Sequence, residues 1–317
     1  MDRNLFRNFL KRSKSRRVRS IQEWAEDVVI IPTGPYAGRK FKLSRQPFAQ
    51  LLYREFSNPH WHEYAITGPT QTGKSFLGFA LPVVWTLCEK KEDAIIAGPT
   101  MEILADKFKR DIVPIMESSG YGHLIPRKGG GSKGGTPTRI DLTNGSVLKL
   151  MSFEGGDKSK ASFTCSNIFM TEVDGAKVST TSDEANPLEQ IKGRARATER
   201  AERFILYECT VSHEEGHIWQ LTQHKGSAAR IVLQCPACSE YVTPERDNLK
   251  GWDQAKNEIQ AEEMTHWHCP KCDAPWTEQQ RKDANATSTI VHRGQEIDKE
   301  GRITGQLPET RICRFRW

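Results

Sequence analysis

No stretch of this 317-residue chain is apolar for long enough to cross a bilayer. The longest run, "FLGFALPVVWTLC" at 76–88, is shorter than the roughly 20 residues a spanning helix needs, and Gly78 and Pro82 interrupt it. The start, "MDRNLFRNFL", lacks the continuous apolar core of a secretory leader. Both absences point to an intracellular protein without a membrane role. A disulfide scaffold is also missing. Of eight cysteines, four form two Cys-x-x-Cys pairs, and Cys88, Cys165, Cys209 and Cys313 are scattered singly, the first three in apolar surroundings typical of buried thiols. That usage fits a reducing compartment and a metal site. No internal repeat is present, which sets repeat architectures aside.

An excess of either charge is missing from most of the chain as well. The net charge of +6 comes from residues 1–20, which carry eight Lys/Arg and one acid, leaving 38 bases against 39 acids elsewhere. The basic excess is one segment, "KRSKSRRVRS", that can follow a phosphate backbone, meet an acidic partner, or simply stay solvated.

What is present is alternation. Ser20 followed by Glu23 in "SIQEWAEDVVI" forms a helix-opening capping box, and "IPTGPYAGRKFKL" reads as loop. From about residue 48 strands and helices take turns. "HEYAIT" is a strand, followed by a glycine loop and a helix through about 89. "DAIIAG" is a second strand, and "TMEILADKFKRDIVPIMESSG" an amphipathic helix ending near Gly120. "RIDL" and "SVLKLM" form a hairpin around Asn144-Gly145, and "CSNIFMT" is a buried strand. A helix near 186–200 and the strand "RFILYECT" complete the series. The expected fold is α/β, a mostly parallel sheet flanked by helices. "RKGGGSKGG" at 127–135 interrupts the order and reads as a loose connector, or as a lysine-bearing loop that touches DNA.

"GPTQTGKS" at 68–75 matches G-x-x-x-x-G-K-[ST] between an apolar strand and a new helix, the context in which that motif has physical meaning. Gly68, Pro69, Thr70, Gln71, Thr72 and Gly73 form the backbone cradle. Lys74 is expected to bridge the β- and γ-phosphates of ATP, and Ser75 to ligate Mg²⁺. Hydrolysis also needs acids at the end of a neighbouring buried strand. "SNIFMTEVDGA" at 166–176 is the segment that offers them. Glu172 is the expected catalytic carboxylate. Thr171 stands where a metal-associated Asp is usual, and Asp174 is expected to supply the missing charge.

"CPAC" and "CPKC" place Cys235, Cys238, Cys269 and Cys272 as two thiolate pairs, the pattern of a closed, structural Zn²⁺ site, with His266 and His268 as bystanders. The expected organisation is a basic arm at 1–20, a P-loop ATPase domain of the ASCE/RecA-like kind at 21–228, a zinc ribbon at 229–285, and a linker at 286–317.

In these motifs the chain resembles the ATPase half of the lambda-type large terminase subunits, the motors that package DNA into phage heads. "RQPF", "GPTQTGKS", "GPTMEILADKF", "TEVDGA", "NPLEQIKGRARA", "ILYECTVS" and the cysteine ribbon carry the likeness over nearly the whole chain. The resemblance implies that Gln46 reads the adenine edge, that Glu172 is catalytic, and that Arg194 or Arg196 senses the γ-phosphate. It also implies that Thr210 to Ser212 couple hydrolysis to motion. Ser212 departs from the proline common there, as Thr171 departs from Asp. Implied partners are double-stranded DNA, the small terminase subunit and the portal of a procapsid, with a homo-oligomer as the active form in the host cytoplasm. A nuclease domain follows the ribbon in the family, while this sequence ends at "RICRFRW", so nuclease activity is not expected in these residues. Two alternatives compete with the motor: a helicase-like ATPase, which needs a second core domain, and a nucleic-acid-binding zinc-ribbon protein with a vestigial nucleotide site.

Overall fold

Five short segments with mostly apolar interiors form strands buried from end to end or nearly so, which a sheet covered on both faces allows. In the computed structural model, which describes residues 17–126, 138–155, 163–176 and 186–316, these are β1 (Glu63–Thr67), β2 (Ala94–Gly98), β4 (Val147–Ser152), β5 (Asn167–Thr171) and β6 (Phe204–Glu208). The segment β3 (Arg139–Asp141) and a C-terminal strand, Ile312–Arg316, complete a seven-stranded sheet. Its order is Ile312–Arg316, β1, β6, β5, β2, β4, β3, and every pair is parallel except β3 with β4. The glycine-rich stretch 127–135 lies outside the described residues.

The two-residue period of a strand sorts side chains onto two faces. Ile66, Ile96, Phe169 and Leu206 point to one face, where they pack with Leu77, Phe79, Leu81, Leu87, Leu104 and Ile112 from the helical segments after β1 and β2. Ala65, Ile95, Ile168, Met170 and Ile205 point to the other, against Leu188, Ile191 and Ile218. The segments after β1 run Phe76–Ala80, Leu81–Val84 and Trp85–Lys90, the outer two hydrogen-bonded in π fashion. After β2, Thr100 caps the start of Met101–Lys107 by accepting from the Ile103 N–H at 3.3 Å. The β3–β4 connection turns at Gly145, whose φ of +95° is the left-handed conformation a glycine reaches without a Cβ penalty.

Ahead of the sheet, α1 (Ile21–Val28) opens with the expected capping box between Ser20 and Glu23. Arg19, at the end of the basic arm, donates from Nε and Nη2 to the buried Glu89 carboxylate at 2.9 and 2.8 Å, so this arginine belongs to the fold. Residues 1–16 of the arm lie outside the described residues.

Two expectations change. The helix expected near 186–200 is only Pro187–Lys192, followed by a tighter turn at Gly193–Ala195. Beyond it, the Arg203 guanidinium takes the carbonyls of Thr198 and Arg196, which a continuing helix would have used itself. The described part of residues 286–317, expected as linker, instead carries four strands, two of which join sheets begun earlier in the chain. Thr289–Val291 pairs with Arg230–Gln234, and Ile312–Arg316 pairs with β1 in register from Glu63 to Thr67. The alternation in "ICRFR" explains the second: Cys313 and Phe315 are buried against the core.

Phe169 sits at the centre of the larger face with its side chain wholly buried. Phe169→Ala should therefore cost about 3–5 kcal/mol, read as a lowered urea midpoint at unchanged slope.

Candidate functional site

The loop between β1 and Phe76 is bent by two left-handed residues, Gln71 (φ 61°) and Gly73 (φ 81°). A side chain at Gly73 would meet the Gln46 amide at 3.2 Å, so glycine here permits both the turn and the close approach of Gln46. Gln46 Nε2 donates to the Thr72 carbonyl at 3.2 Å, and Thr72 Oγ1 donates to that of Pro69 at 2.8 Å. Beside Gln46 opens a cleft of about 330 Å³ lined by Pro32, Tyr36, Phe41, Arg45, Gln46 and Phe76. Arg45 stacks 4.6 Å over the half-exposed Tyr36 ring, leaving an aromatic and cationic wall next to the loop.

Lys74 and Ser75 point inward from the cradle and converge on Glu208, the last residue of β6. Lys74 Nζ lies 2.6 Å and Ser75 Oγ 3.0 Å from Glu208 Oε1. On the other oxygen, Thr171 Oγ1 donates at 2.7 Å and Lys107 Nζ at 3.4 Å. Glu208 is fully buried, as is Thr171, and Lys74 nearly so. Burial by itself would raise the Glu208 pKa, but the Lys107 and Lys74 ammonium groups and the hydrogen bonds from Lys74 and Thr171 bring it down to about 2. The group is an anion held by four donors.

Strand order explains why this residue was not anticipated. The expectation was that β5 neighbours the phosphate-loop strand, but β6 lies between them. Thr171 and Glu208 are partners in the β5–β6 register, and both continue the alternation of Phe169 and Leu206 onto the face of the loop. The signal was present in "FILYE", an acid closing an apolar strand, which is the signature that singled out Glu172.

Glu172 follows Thr171 in a left-handed conformation (φ 51°) that ends the strand's alternation, and its N–H donates to the Glu208 carbonyl at 2.8 Å. Its carboxylate is met by the Cys209 thiol at 3.8 Å. Asp174, expected to supply the charge missing at position 171, is engaged elsewhere. Its Oδ1 accepts from the Ile218 N–H at 2.9 Å and its Oδ2 from the Ser212 N–H at 3.3 Å. It caps the helical turn at His217–Trp219 from a distance and holds the segment that leaves β6.

The second constellation is the cysteine cluster. The four Sγ atoms of Cys235, Cys238, Cys269 and Cys272 lie within 4.8 Å of one another, with Cys235–Cys272 at 3.8 Å and Cys238–Cys269 at 3.9 Å. A tetrahedral ion with metal–sulfur bonds of about 2.3 Å sets its sulfurs about 3.8 Å apart, so the thiols fit one. The two turns are alike. Ala237 and Lys271 each donate a backbone N–H to the first sulfur of their pair at 3.4 Å, and Ser239 and Asp273 follow with φ of 61° and 58°. His268 Nδ1 pairs with the Asp273 carbonyl at 2.8 Å and stands outside the cluster.

A family model described as the ATPase domain of the phage terminase large subunit gpA matches residues 37–289. The chain belongs to this family. No curated protein matches the sequence. Among solved structures, the HK97 bacteriophage large terminase is 12% identical with a TM-score of 0.41, over 63% of this chain and 38% of that one. The Thermus phage P74-26 large terminase ATPase domain is 12% identical with a TM-score of 0.38, over 59% and 73%. A large terminase from a thermophilic bacteriophage in complex with ADP is 15% identical with a TM-score of 0.33, over 47% and 33%. This chain therefore spans well under half the length of the HK97 protein. Within the terminase ATPase fold, Arg194 sits on the turn after Pro187–Lys192, where its Nε donates to the Gln190 carbonyl at 3.4 Å, and Arg196 is exposed just beyond.

If Asp174 serves the backbone, Asp174→Ala should cost about 1 kcal/mol of stability in urea unfolding and leave the affinity for a fluorescent ADP analogue unchanged.

Proposed function

We propose that this chain is the ATP-hydrolysing motor of a viral DNA-packaging terminase, driving double-stranded DNA into a procapsid. The observation that carries the reading is the inward-facing Lys74–Ser75 pair under a glycine-bent loop, with a cleft of base-binding character beside it. Family membership supports it.

In this reading the backbone N–H groups of 68–75 bind the phosphates and Gln46 takes the adenine edge within the aromatic cleft. Lys74 leaves Glu208 to meet the β- and γ-phosphates, and the Ser75 hydroxyl holds Mg²⁺, which when bound offsets the negative charge of the phosphate oxygens. Glu172 orients the attacking water and holds its proton. Its left-handed backbone frees the side chain from the strand's alternation, so that it can swing from Cys209 toward the nucleotide. Arg194 or Arg196 stabilises the outermost phosphate. Thr210 to Ser212, tethered through Ser212 to Asp174, carry the change outward.

The cysteine cluster holds Zn²⁺ in a closed structural site, since four thiolates leave no coordination position for chemistry. Residues 21–228 with the returning C-terminal strand make the ATPase unit, and 229–285 the ribbon. The basic arm at 1–20 meets DNA or the small terminase subunit, and the active form is a homo-oligomer at the portal in the host cytoplasm. DNA contacts are to the backbone and weaken with salt.

Phosphate release from Mg²⁺-ATP should fall about 100-fold or more in Lys74→Ala and in Glu172→Gln. Equal background release from wild type and both variants would remove the motor and leave a nucleic-acid-binding ribbon protein. Zinc analysis should find one ion per chain. A strong chelator should unfold the ribbon, because such sites contribute roughly 10–16 kcal/mol of folding energy. Loss of circular dichroism on chelation, reversed by added Zn²⁺, checks this.

A further inference from the structure

We propose that Glu208 is the acidic partner of the catalytic metal ion, standing in from β6 for the aspartate that position 171 lacks. The inference rests on the nucleotide-site reading above. In phosphate-loop enzymes the metal is held by the loop hydroxyl and an acid from a strand end nearby. Here the strand end that usually carries it offers a neutral threonine. That threonine is not idle: its hydroxyl donates at 2.7 Å to Glu208, its register partner one strand closer to the phosphate loop. The longer glutamate side chain, starting from the adjacent strand, brings its carboxylate to the loop hydroxyl.

The spacing fits a hard divalent ion. Octahedral Mg²⁺ with oxygens at about 2.0–2.1 Å sets adjacent ligands about 2.9 Å apart. Ser75 Oγ and Glu208 Oε1 are 3.0 Å apart. The carboxylate is also kept in place when Lys74 moves to the phosphates. Thr171 and Lys107 hold Oε2, leaving Oε1, beside Ser75 Oγ, as the oxygen that would meet the ion. A glutamate needed only to neutralise Lys74 would require neither the contact to Ser75 nor a second lysine behind it. Lys107, from the end of Met101–Lys107 and resting 4.9 Å over the Phe79 ring, is thereby a positioning residue.

The test reads metal binding apart from turnover. Mn²⁺ is titrated against the ADP-loaded protein and followed by its paramagnetic resonance signal, with a fluorescent ADP analogue reporting metal-free nucleotide affinity. Compared with wild type at saturating ADP, so that any change in nucleotide affinity on freeing Lys74 is set aside, Glu208→Gln should weaken Mn²⁺ by about 10–100-fold. Adding Thr171→Asp to Glu208→Gln restores a carboxylate on the partner strand and should recover most of the loss. Unchanged Mn²⁺ affinity in Glu208→Gln would overturn the inference while the nucleotide site stood. Failure of the wild type to bind ADP at all would instead bring down the reading beneath it. Glu208→Gln leaves Lys74 without its counter-charge and can unfold. In that event the charge-keeping pair Thr171→Asp/Glu208→Gln is compared with the uncharged Thr171→Asn/Glu208→Gln. Equal Mn²⁺ affinity in those two pairs overturns the proposal, and a 10-fold or greater advantage for the charged pair supports it.

Discussion

The phosphate loop is anchored by a charge placed where water cannot reach it. Removing a carboxylate from solvent costs several kcal/mol, and a buried ion is tolerated only when partners surround it. Glu208 meets that condition with two ammonium groups and two hydroxyls drawn from the loop, from β5 and from the helix after β2. These elements are far apart in sequence, and the anion is the one point at which all of them meet. A parallel sheet makes this possible, because the strand ends that carry Glu208, Thr171 and the phosphate loop all open on the same edge.

From that edge the chain leaves in two directions that are tied together. Beyond β5, Asp174 turns back to hold the backbone of Ser212 and Ile218, which lie beyond β6. The Glu172 N–H rests on the Glu208 carbonyl, and the Cys209 thiol on the Glu172 carboxylate. Glu208, Glu172 and the segment 209–218 are thus linked by direct contacts.

Residues 229–292 are joined to the sheet by packing and by a buried polar contact. Glu55 at the end of α2 (Phe48–Phe56) accepts from Trp61 Nε1 at 2.7 Å and lies 3.5 Å from His292 Nε2, whose ring packs 4.9 Å from Trp61. Burial pulls the Glu55 pKa up, but the His292 and Trp61 hydrogen bonds prevail and hold it below the usual carboxylate range. Ala229, Ile231 and Ile290 extend the main core beneath Arg230–Gln234 and Thr289–Val291. The residues around the cysteines have a small apolar core of their own, built from Val242, Trp276 and Ala284.

The sequence by itself determined what local pattern and spacing can carry. Apolar runs marked the strands of the parallel sheet, Ser20 with Glu23 marked the start of α1, and Asn144-Gly145 marked the hairpin. Two Cys-x-x-Cys turns marked four thiols that do gather. All of these depend on residues within a few positions of one another or on side chains with one common use. Only the tertiary structure decided which strand lies beside the phosphate loop. Glu172 and Glu208 each close an apolar strand, and nothing local tells which of the two reaches Lys74. That follows from β6 entering between β1 and β5, a pairing of segments distant in sequence. The same holds for "ICRFR", too short to be assigned to a sheet until β1 is seen to need a partner on its open edge.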